Sequence, residues 1–463
     1  MPFPQCLPLI AILLLAYVFS RSLRKVPLPP GPPSDPLIGH LRLMTKPHND
    51  ATFTEWHKRY GDLIHLNVFG KNLLFINSAK VAIDLLDKRS IIYSDRPWFP
   101  VQEMIGWQDI LGFLPYGEEF SRKLFQDTLS RSGVRIFEDL QLYQAQIFAK
   151  NLLRSPDRFL SHVKRFSSGI ILEIAYGHRV ESEDDSYLKL TENLNAVVAG
   201  LGTTGVSIVD ILPILRHLPP WFPGARLHRH CHWAKSAIRD MEDIPFQAVR
   251  RKMAEGTAGV SFLSMALEKL QREDNQTEAE LRRAKVASFQ LYAVVRRRYA
   301  VVSINAALTH AQSTISQTIS ATENALFCLL LHPHVQKRAQ AEIDKIIGQG
   351  RLPDFGEREA LPYVNCVIHE AWNPTTPLGG LAHRAMEDDI YDGKFIPKGT
   401  TIITNTRRMA KDDTLYKSPD MFYPERFLPQ PEGYGEPVFQ GTFGFGQSVQ
   451  EDISQKLACG SLL

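Results

Sequence analysis

From residue 120 to residue 350 the chain reads as one amphipathic helix after another, interrupted only by Pro- and Gly-rich stretches near 212–224 and 255–260. Strand signals are few. Asp62 to Phe69 and Leu73 to Ile76, joined through Gly70-Lys71-Asn72, read as a hairpin. Ser78 then stands where a helix cap belongs, ahead of a helix through Leu86. Tyr391–Ile396 and Thr400–Thr404 read as two further strands, separated by Pro397-Lys398-Gly399. The C-terminal third is loop-rich and no internal repeat is present. The pattern predicts a mainly α fold with a small β region, in which no linker after residue 36 can separate domains.

Composition removes several classes. Of 463 residues 44% are hydrophobic and 22% charged, which excludes a disordered or coiled-coil chain. Net charge is +3 and no basic arm is concentrated anywhere, so nucleic acid is not an expected partner. Cys6, Cys231, Cys328, Cys366 and Cys459 form no CxxC pair, which argues against zinc and against a disulfide framework and suits a reducing compartment.

Residues 1–20 carry no charged side chain, and Arg21, Arg24 and Lys25 follow at once. Twenty helical residues span ~30 Å, the hydrocarbon thickness of a bilayer. Basic residues after the span place the bulk of the chain on the cytosolic side. A cleaved signal peptide is the alternative, although a basic n-region and a small-x-small site are missing. On the anchor reading the sequon Asn275-Gln276-Thr277 stays unmodified. Residues 21–36, including Pro29-Pro30-Gly31-Pro32-Pro33, form a basic and Pro-rich hinge, and 37–463 the folded domain.

Several motifs then occur in order. Tyr116-Gly117 precedes the basic helix Ser121-Arg122-Lys123-Leu124-Phe125. A long helix ends in Leu331-His332-Pro333-His334-Val335-Gln336-Lys337, and Ala341-Glu342-Ile343-Asp344 and Leu361-Pro362-Tyr363-Val364 follow. Glu370 lies on the next helix, ahead of Phe395-Ile396-Pro397-Lys398-Gly399-Thr400, Phe422-Tyr423-Pro424-Glu425-Arg426-Phe427 and Phe443-Gly444-Phe445-Gly446. With the N-terminal anchor and the proline cluster, this series resembles a membrane-bound cytochrome P-450 of the fungal type, over residues 5–452. The resemblance implies the cytochrome P-450 fold, a heme cofactor and NADPH-dependent heme-thiolate monooxygenase activity on an apolar small molecule, by family habit in secondary metabolism. Electrons would come from NADPH through a flavoprotein reductase docking near Arg122 and Lys123. The implied location is the endoplasmic reticulum membrane, single-pass, with the catalytic domain in the cytosol.

Residue by residue, the resemblance implies that Arg122 pairs with a heme propionate, a role suited to a forked guanidinium. The bland reading of Arg122 is a solvated surface arginine. His383 matches a histidine touching a propionate, with a capping or core histidine as its alternative. Glu370 and Arg426 match two members of a buried Glu-Arg-Arg network. Gln317 and Thr318 fall where the family has an acid-alcohol pair that delivers protons, although Thr318 could equally bond its own helix carbonyl. The loops 95–115 and 195–225 carry Trp98, Phe99, Trp107, Phe113, Leu201 and Val206, which fits a greasy ligand.

The chain also departs from the pattern. Glu370-Ala371 runs into Trp372-Asn373-Pro374, so the family's next arginine is missing. Phe120 stands where a Trp is expected, but too close to Arg122. Counting from Phe443 and Gly446, Gln450 occupies the position of the heme-ligating cysteine and Ser448 that of an arginine. A thiolate donates electron density to iron, which an amide cannot do. Cys459 lies nine residues further on, near the terminus at Leu463, and does not fit as a substitute. The implied fold is therefore incomplete at its C-terminus. Finally, a helix from Lys285 to Leu331 would be ~70 Å long. Removing Val294–Gln312, which contains Arg296-Arg297-Arg298, leaves an ordinary helix, so 294–312 reads as an insertion or retained intron. Two explanations stay open, a misassembled gene translation and a degenerate paralogue. Three functions accompany them: a monooxygenase, a non-catalytic membrane protein that keeps the pocket, and a product that misfolds.

Overall fold

The computed structural model describes residues 26–44, 50–107, 114–116, 135–199, 207–219, 221–222, 225–297, 317–372, 382–439, 441 and 445. Among the described residues six short strands make two sheets: β1 (Leu63–Val68), β2 (Lys71–Ile76), β3 (His383–Arg384), β4 (Asp389–Tyr391), β5 (Lys394–Ile396) and β6 (Thr401–Thr404). The larger sheet has the order β1-β2-β6-β3, and β4 pairs with β5 alone.

The first hairpin forms with Leu63 opposite Ile76 and Val68 opposite Lys71. Its turn is one step earlier than the sequence suggests. Phe69 and Gly70 both have positive φ, 48° and 81°, while Lys71 and Asn72 already belong to β2. Two consecutive left-handed residues match the twist of the flanking strands, and the Asn67 side chain holds the turn by accepting the Gly70 N–H at 3.1 Å. The expected strand over 391–396 is likewise a hairpin. Asp392 and Gly393 (φ 49° and 67°) turn the chain between β4 and β5. The segment after Ser78 is helical from Ala79, but the Ser78 hydroxyl makes no capping bond, and the helix widens into a π turn over Ile83–Lys88.

The proline cluster is strapped to the sheets. The Pro30 carbonyl accepts the His65 N–H and the Pro27 carbonyl accepts the Phe395 N–H, both at 2.8 Å. His40 Nε2 lies 2.8 Å from the Pro32 carbonyl. Gly31 is needed for this approach, since a Cβ there would sit 2.1 Å from the His65 carbonyl oxygen. The strap fastens the Pro-rich part of residues 21–36 to both sheets at once.

The helical layer holds α1 (Asp50–Tyr60), α2 (Ala79–Ala82), α3 (Glu138–Arg154), α4 (Phe159–Tyr176), α5 (Ser186–Ala199), α6 (Arg226–Ala254), α7 (Phe262–Arg272), α8 (Glu278–Arg297), α9 (Gln317–Leu331), α10 (Pro333–Ile346) and α11 (Pro362–Trp372), besides shorter turns. Helix α4 is the inner member, buried on every side from Arg165 to Tyr176, and such a helix must be apolar around most of its circumference. Its Phe166, Ile170 and Ile174 share one core with Phe246 of α6, Phe262 of α7 and Phe289 of α8. Gly177 ends it in the left-handed conformation at φ 65°.

Helix α8 runs through Val294 to Arg297 and α9 begins at Gln317; the rest of the expected insertion lies outside the described residues. Among the described residues no helix is long and apolar enough to cross a membrane. The span expected at residues 1–20 lies outside them.

Candidate cofactor site

Two polar clusters sit where the helical layer meets the sheets. The first is built by the segment after Tyr93 and by β3. The Arg384 N–H donates to the Asp95 carbonyl at 2.8 Å, and the Arg384 Nε donates to the Asp95 carboxylate at 2.7 Å. The Tyr116 N–H also donates to that carboxylate, at 2.9 Å. Burial pushes the Asp95 carboxyl up, but these donors outweigh it and hold it below the usual range. The interlock places Arg96 beside His383. Both are buried, and Arg96 Nη1 donates to the Ala382 carbonyl at 3.1 Å.

His383 Nδ1 lies 2.9 Å from the Tyr93 carbonyl. A carbonyl can only accept, so Nδ1 carries the hydrogen. In the neutral ring Nε2 is then an acceptor. Burial first, and then the Arg96 charge, push His383 well below the ordinary histidine range. A neutral His383 cannot donate to a carboxylate. It does so only as an imidazolium, which a carboxylate held against it would favour. Arg96 needs no such change, because a guanidinium is always charged. Arg96 is the residue the sequence reading missed. Nothing in its spacing marks it, since its burial depends on β3 arriving from nearly 290 residues away.

The second cluster is the buried knot around Arg426, which is 1% exposed. Its Nε donates to Glu370 at 3.1 Å. Nη1 donates to the Lys417 carbonyl at 2.8 Å and to Glu436 at 3.0 Å. Nη2 donates to the Ser418 carbonyl at 3.2 Å and the Met421 carbonyl at 2.8 Å. A guanidinium has five N–H donors, and all five are used. The structure brings Glu370 and Arg426 together and adds Glu436, which the sequence reading did not see. The loop beyond Leu428 returns Glu436 to the guanidinium, and a Cβ on Gly433 in that loop would lie 1.9 Å from the Glu425 carbonyl oxygen. Burial pushes the Glu370 carboxyl up and Glu436 adds to it, against the Tyr423 N–H and Arg426.

A third set of contacts braces the knot from outside. Glu342 on α10 accepts the N–H groups of Tyr363 and Val364 at 3.0 and 2.9 Å, which places a carboxylate on the N-terminus of α11. Glu425, next to Arg426, accepts from the Tyr363 hydroxyl at 2.7 Å and from Arg338 at 3.1 Å.

The other expected site residues are distributed as follows. Gln317 and Thr318 form the first turn of α9, while their side chains lie outside what is described. One turn and a half further on, Asn324 ties α9 to α11 by donating to the Ala371 carbonyl at 2.5 Å. Arg122, Ser448, Gln450 and Cys459 lie outside the described residues. The described cysteines Cys231, Cys328 and Cys366 are free and buried. Burial pushes their thiols up, to about 12 for Cys231 and about 11 for Cys366, so none is a thiolate at neutral pH. Among the described residues no group of three or more His, Cys, Asp or Glu could hold a metal ion. Of the greasy-loop residues, Trp107 packs in the helical core and Trp98 is exposed beneath the Arg216 guanidinium. Phe99 is half-buried, and Phe113, Leu201 and Val206 lie outside the described residues.

The family model for cytochrome P450 matches residues 29–292 and 307–448. Cytochrome P450 monooxygenase COX2 of Coprinopsis cinerea is 36% identical over 407 residues, which cover 86% of this chain and 73% of that protein. Cytochrome P450 monooxygenase 176 of Postia placenta is 31% identical over 440 residues, 93% of this chain and 81% of that one. Cytochrome P450 monooxygenase ple1 of Rhodocybe pseudopiperita is 32% identical over 458 residues, 96% and 83% respectively.

Proposed function

The chain belongs to the cytochrome P450 family, and from that premise we propose that it is a heme-dependent monooxygenase scaffold for an apolar small molecule, held at the endoplasmic reticulum membrane by residues 1–20 and supplied with electrons from NADPH by a reductase docking near Arg122. The observation that carries this reading is the family match along most of the chain, on relatives named monooxygenases. The model passes over residues 293–306, which supports reading 294–312 as an insertion in the catalytic domain.

The residues at hand fit heme at one end. A bound heme supplies the oxidising chemistry, and its carboxylates need buried cations. Arg96 is such a cation, fixed by the Ala382 carbonyl, and His383 becomes a second one on protonation. Tyr93 and Asp95 position both through the backbone and the Arg384 ion pair. The knot at Arg426 holds residues 417–436 against α11 and so fixes the approach to the Phe443–Gly446 loop. Thr318 can pass a proton through its hydroxyl. Gln317 can relay one only by hydrogen bonding, since an amide does not ionise near neutral pH.

At the iron end the residues do not fit. Gln450 offers no thiolate, and the described cysteines are neutral thiols. No step through the group is therefore derived for this chain. Sequencing the native transcript across codons 290–315 and 445–463 tests the reading. A transcript that encodes cysteine at the Gln450 position and lacks 294–312 supports it, and the corresponding protein oxidises apolar substrates with NADPH and a reductase. A transcript identical to the present chain overturns the catalytic reading in favour of a non-catalytic membrane protein.

A further inference from the structure

We propose that Gln102 and His228 anchor a hydroxyl group of the ligand, so that the molecule bound is an apolar alcohol rather than a plain hydrocarbon. This narrows the reading of the chain as a scaffold for an apolar small molecule, on which it rests. His228 is 8% exposed, and among the described residues it is the one histidine whose two ring nitrogens are both buried without a hydrogen bond. Gln102 is 4% exposed, and its Nε2 likewise has no partner. A buried polar group without a partner is uncommon in a finished interior and weighs against the fold. Two of them in one neighbourhood mark a place completed by a molecule the chain does not itself supply.

The packing puts them in one neighbourhood. Gln102 lies in the short helix Pro100–Met104, within the stretch 95–115 that carries Trp98, Phe99 and Trp107. The Asp210 carboxylate accepts the Val101 N–H at 3.1 Å, and the Asp210 carbonyl accepts from Lys71 at 2.7 Å, so this helix is fixed to the segment 208–211. On α6, His228, Cys231 and Lys235 are spaced by three and four residues and share one face. Cys231 packs in one core with Val101 and Val209, and burial and then the Asp210 charge push its thiol up. The Lys235 stem lies 3.9 Å from where a Cβ on Gly106 would stand. The face that carries His228 therefore runs along residues 101–106. The core these elements share holds Val101, Trp107, Val209, Cys231 and Ala234, so a molecule bound there must be mostly apolar. The polar pair selects the rest. An amide Nε2 can only donate, and a neutral imidazole has one donor and one acceptor. A hydroxyl accepts from one and donates to the other. A carbonyl answers only the donors, and an alkyl group answers neither.

Binding of tetralin, 2-tetralone and 2-tetralol to the full 463-residue chain, measured by equilibrium dialysis, tests the proposal. The alcohol is expected to bind at least ~10-fold more tightly than tetralin, which corresponds to about one hydrogen bond to a buried group. Gln102→Leu and His228→Leu are each expected to cut that ratio below ~3 while tetralin binding stays within about twofold. Without any probe, both variants are expected to unfold at or above the parent's midpoint, because an unpaired polar group gives way to an apolar one. A lower midpoint would show the two side chains bonded in the folded protein, as through buried water, and overturns the proposal. Equal binding of tetralin and 2-tetralol by the parent chain also overturns it, and that comparison needs no variant to fold. The ketone binding as tightly as the alcohol overturns the choice of a hydroxyl. Binding of none of the three overturns the apolar-ligand reading and the proposal with it, whereas tetralin bound as well as the alcohol removes the proposal alone.

Discussion

The knot around Arg426 and the groove lined by α3, α4, α9 and residues 351–355 differ in how they are built. In the knot five donors meet five acceptors at 2.8–3.2 Å, with two carboxylates and three carbonyls around one guanidinium. In the groove, among the described residues, the Gln141 Oε1 is buried without a hydrogen bond beside Leu142, Phe148, Leu152, Phe166, Leu326 and Leu329. The knot is assembled from Glu370 and a single run, residues 417–436, so every partner is at hand. The groove draws on four separated stretches, within 141–152, at Phe166, within 322–329 and within 351–355. The difference teaches that most of the knot's partners come from one run of chain, while the apolar surface is gathered from distant ones.

The largest test of that contrast is in the knot. Arg426→Lys keeps the charge but has three donors on a flexible stem where five fixed ones are used. It is expected to destabilise the fold by ~3–5 kcal/mol, read from urea or thermal unfolding, because buried carboxylates and carbonyls lose their partner. A loss below ~1 kcal/mol would mean that the knot contributes no more than a surface pair.

Next in size is the strap. Gly31→Ala must push the proline cluster away from the His65 carbonyl, and a cost of ~1–3 kcal/mol is expected, with faster exchange at the His65 and Phe395 amides. The same substitution at Gly61, where a Cβ meets nothing but φ is +86°, measures backbone strain alone.

A pH effect of intermediate size follows from His369, which sits beside the knot on α11 between Trp372 and Phe427. Burial, helped by Arg358, lowers it from 6.5 to about 4. The unfolded chain therefore binds a proton between pH 6.5 and 4 that the folded one refuses. Its contribution to stability is complete above pH 6.5 and is lost as pH falls through 4. His369→Phe should flatten the acid loss of unfolding midpoint between pH 7 and 4.5 relative to the parent chain. An unchanged slope would show that His369 is solvated.

The smallest effect belongs to the groove wall. Gln141→Leu removes an unpaired acceptor together with its amide and is expected to change stability by no more than ~1 kcal/mol in either direction. A loss as large as that of Arg426→Lys would show that the Gln141 side chain is hydrogen-bonded in the folded protein.

Much of this frame was legible in the residues. The hairpin β1–β2 was readable because its strands are short, apolar and separated by a Gly turn. The pairing of Glu370 with Arg426 was readable because each sits in a local motif. Glu436 and Arg96 were not. Each takes its place through a partner that only the fold delivers, a returning loop in one case and the segment entering β3 in the other. The tautomer of His383 was equally hidden, since it is set by the Tyr93 carbonyl. The strand expected over 391–396 was misread because Asp392-Gly393 is a turn whose flanks are as apolar as a continuous strand. The earlier position of the first turn has the same origin, a pair of left-handed residues that the flanking pattern does not reveal.

We propose that Arg96 and His383 are the carboxylate-binding end of a heme site, braced by the knot at Arg426, which Gln450 leaves without a thiolate. The most direct measurement is the reduced carbon-monoxide spectrum of the full 463-residue chain supplied with heme, alongside its Cys459→Ser variant. The predicted result is heme absorption without the Soret band of thiolate-ligated iron, identical in the two proteins. A thiolate-type band in the parent chain that disappears in Cys459→Ser would contradict the account and give the ligand role to Cys459.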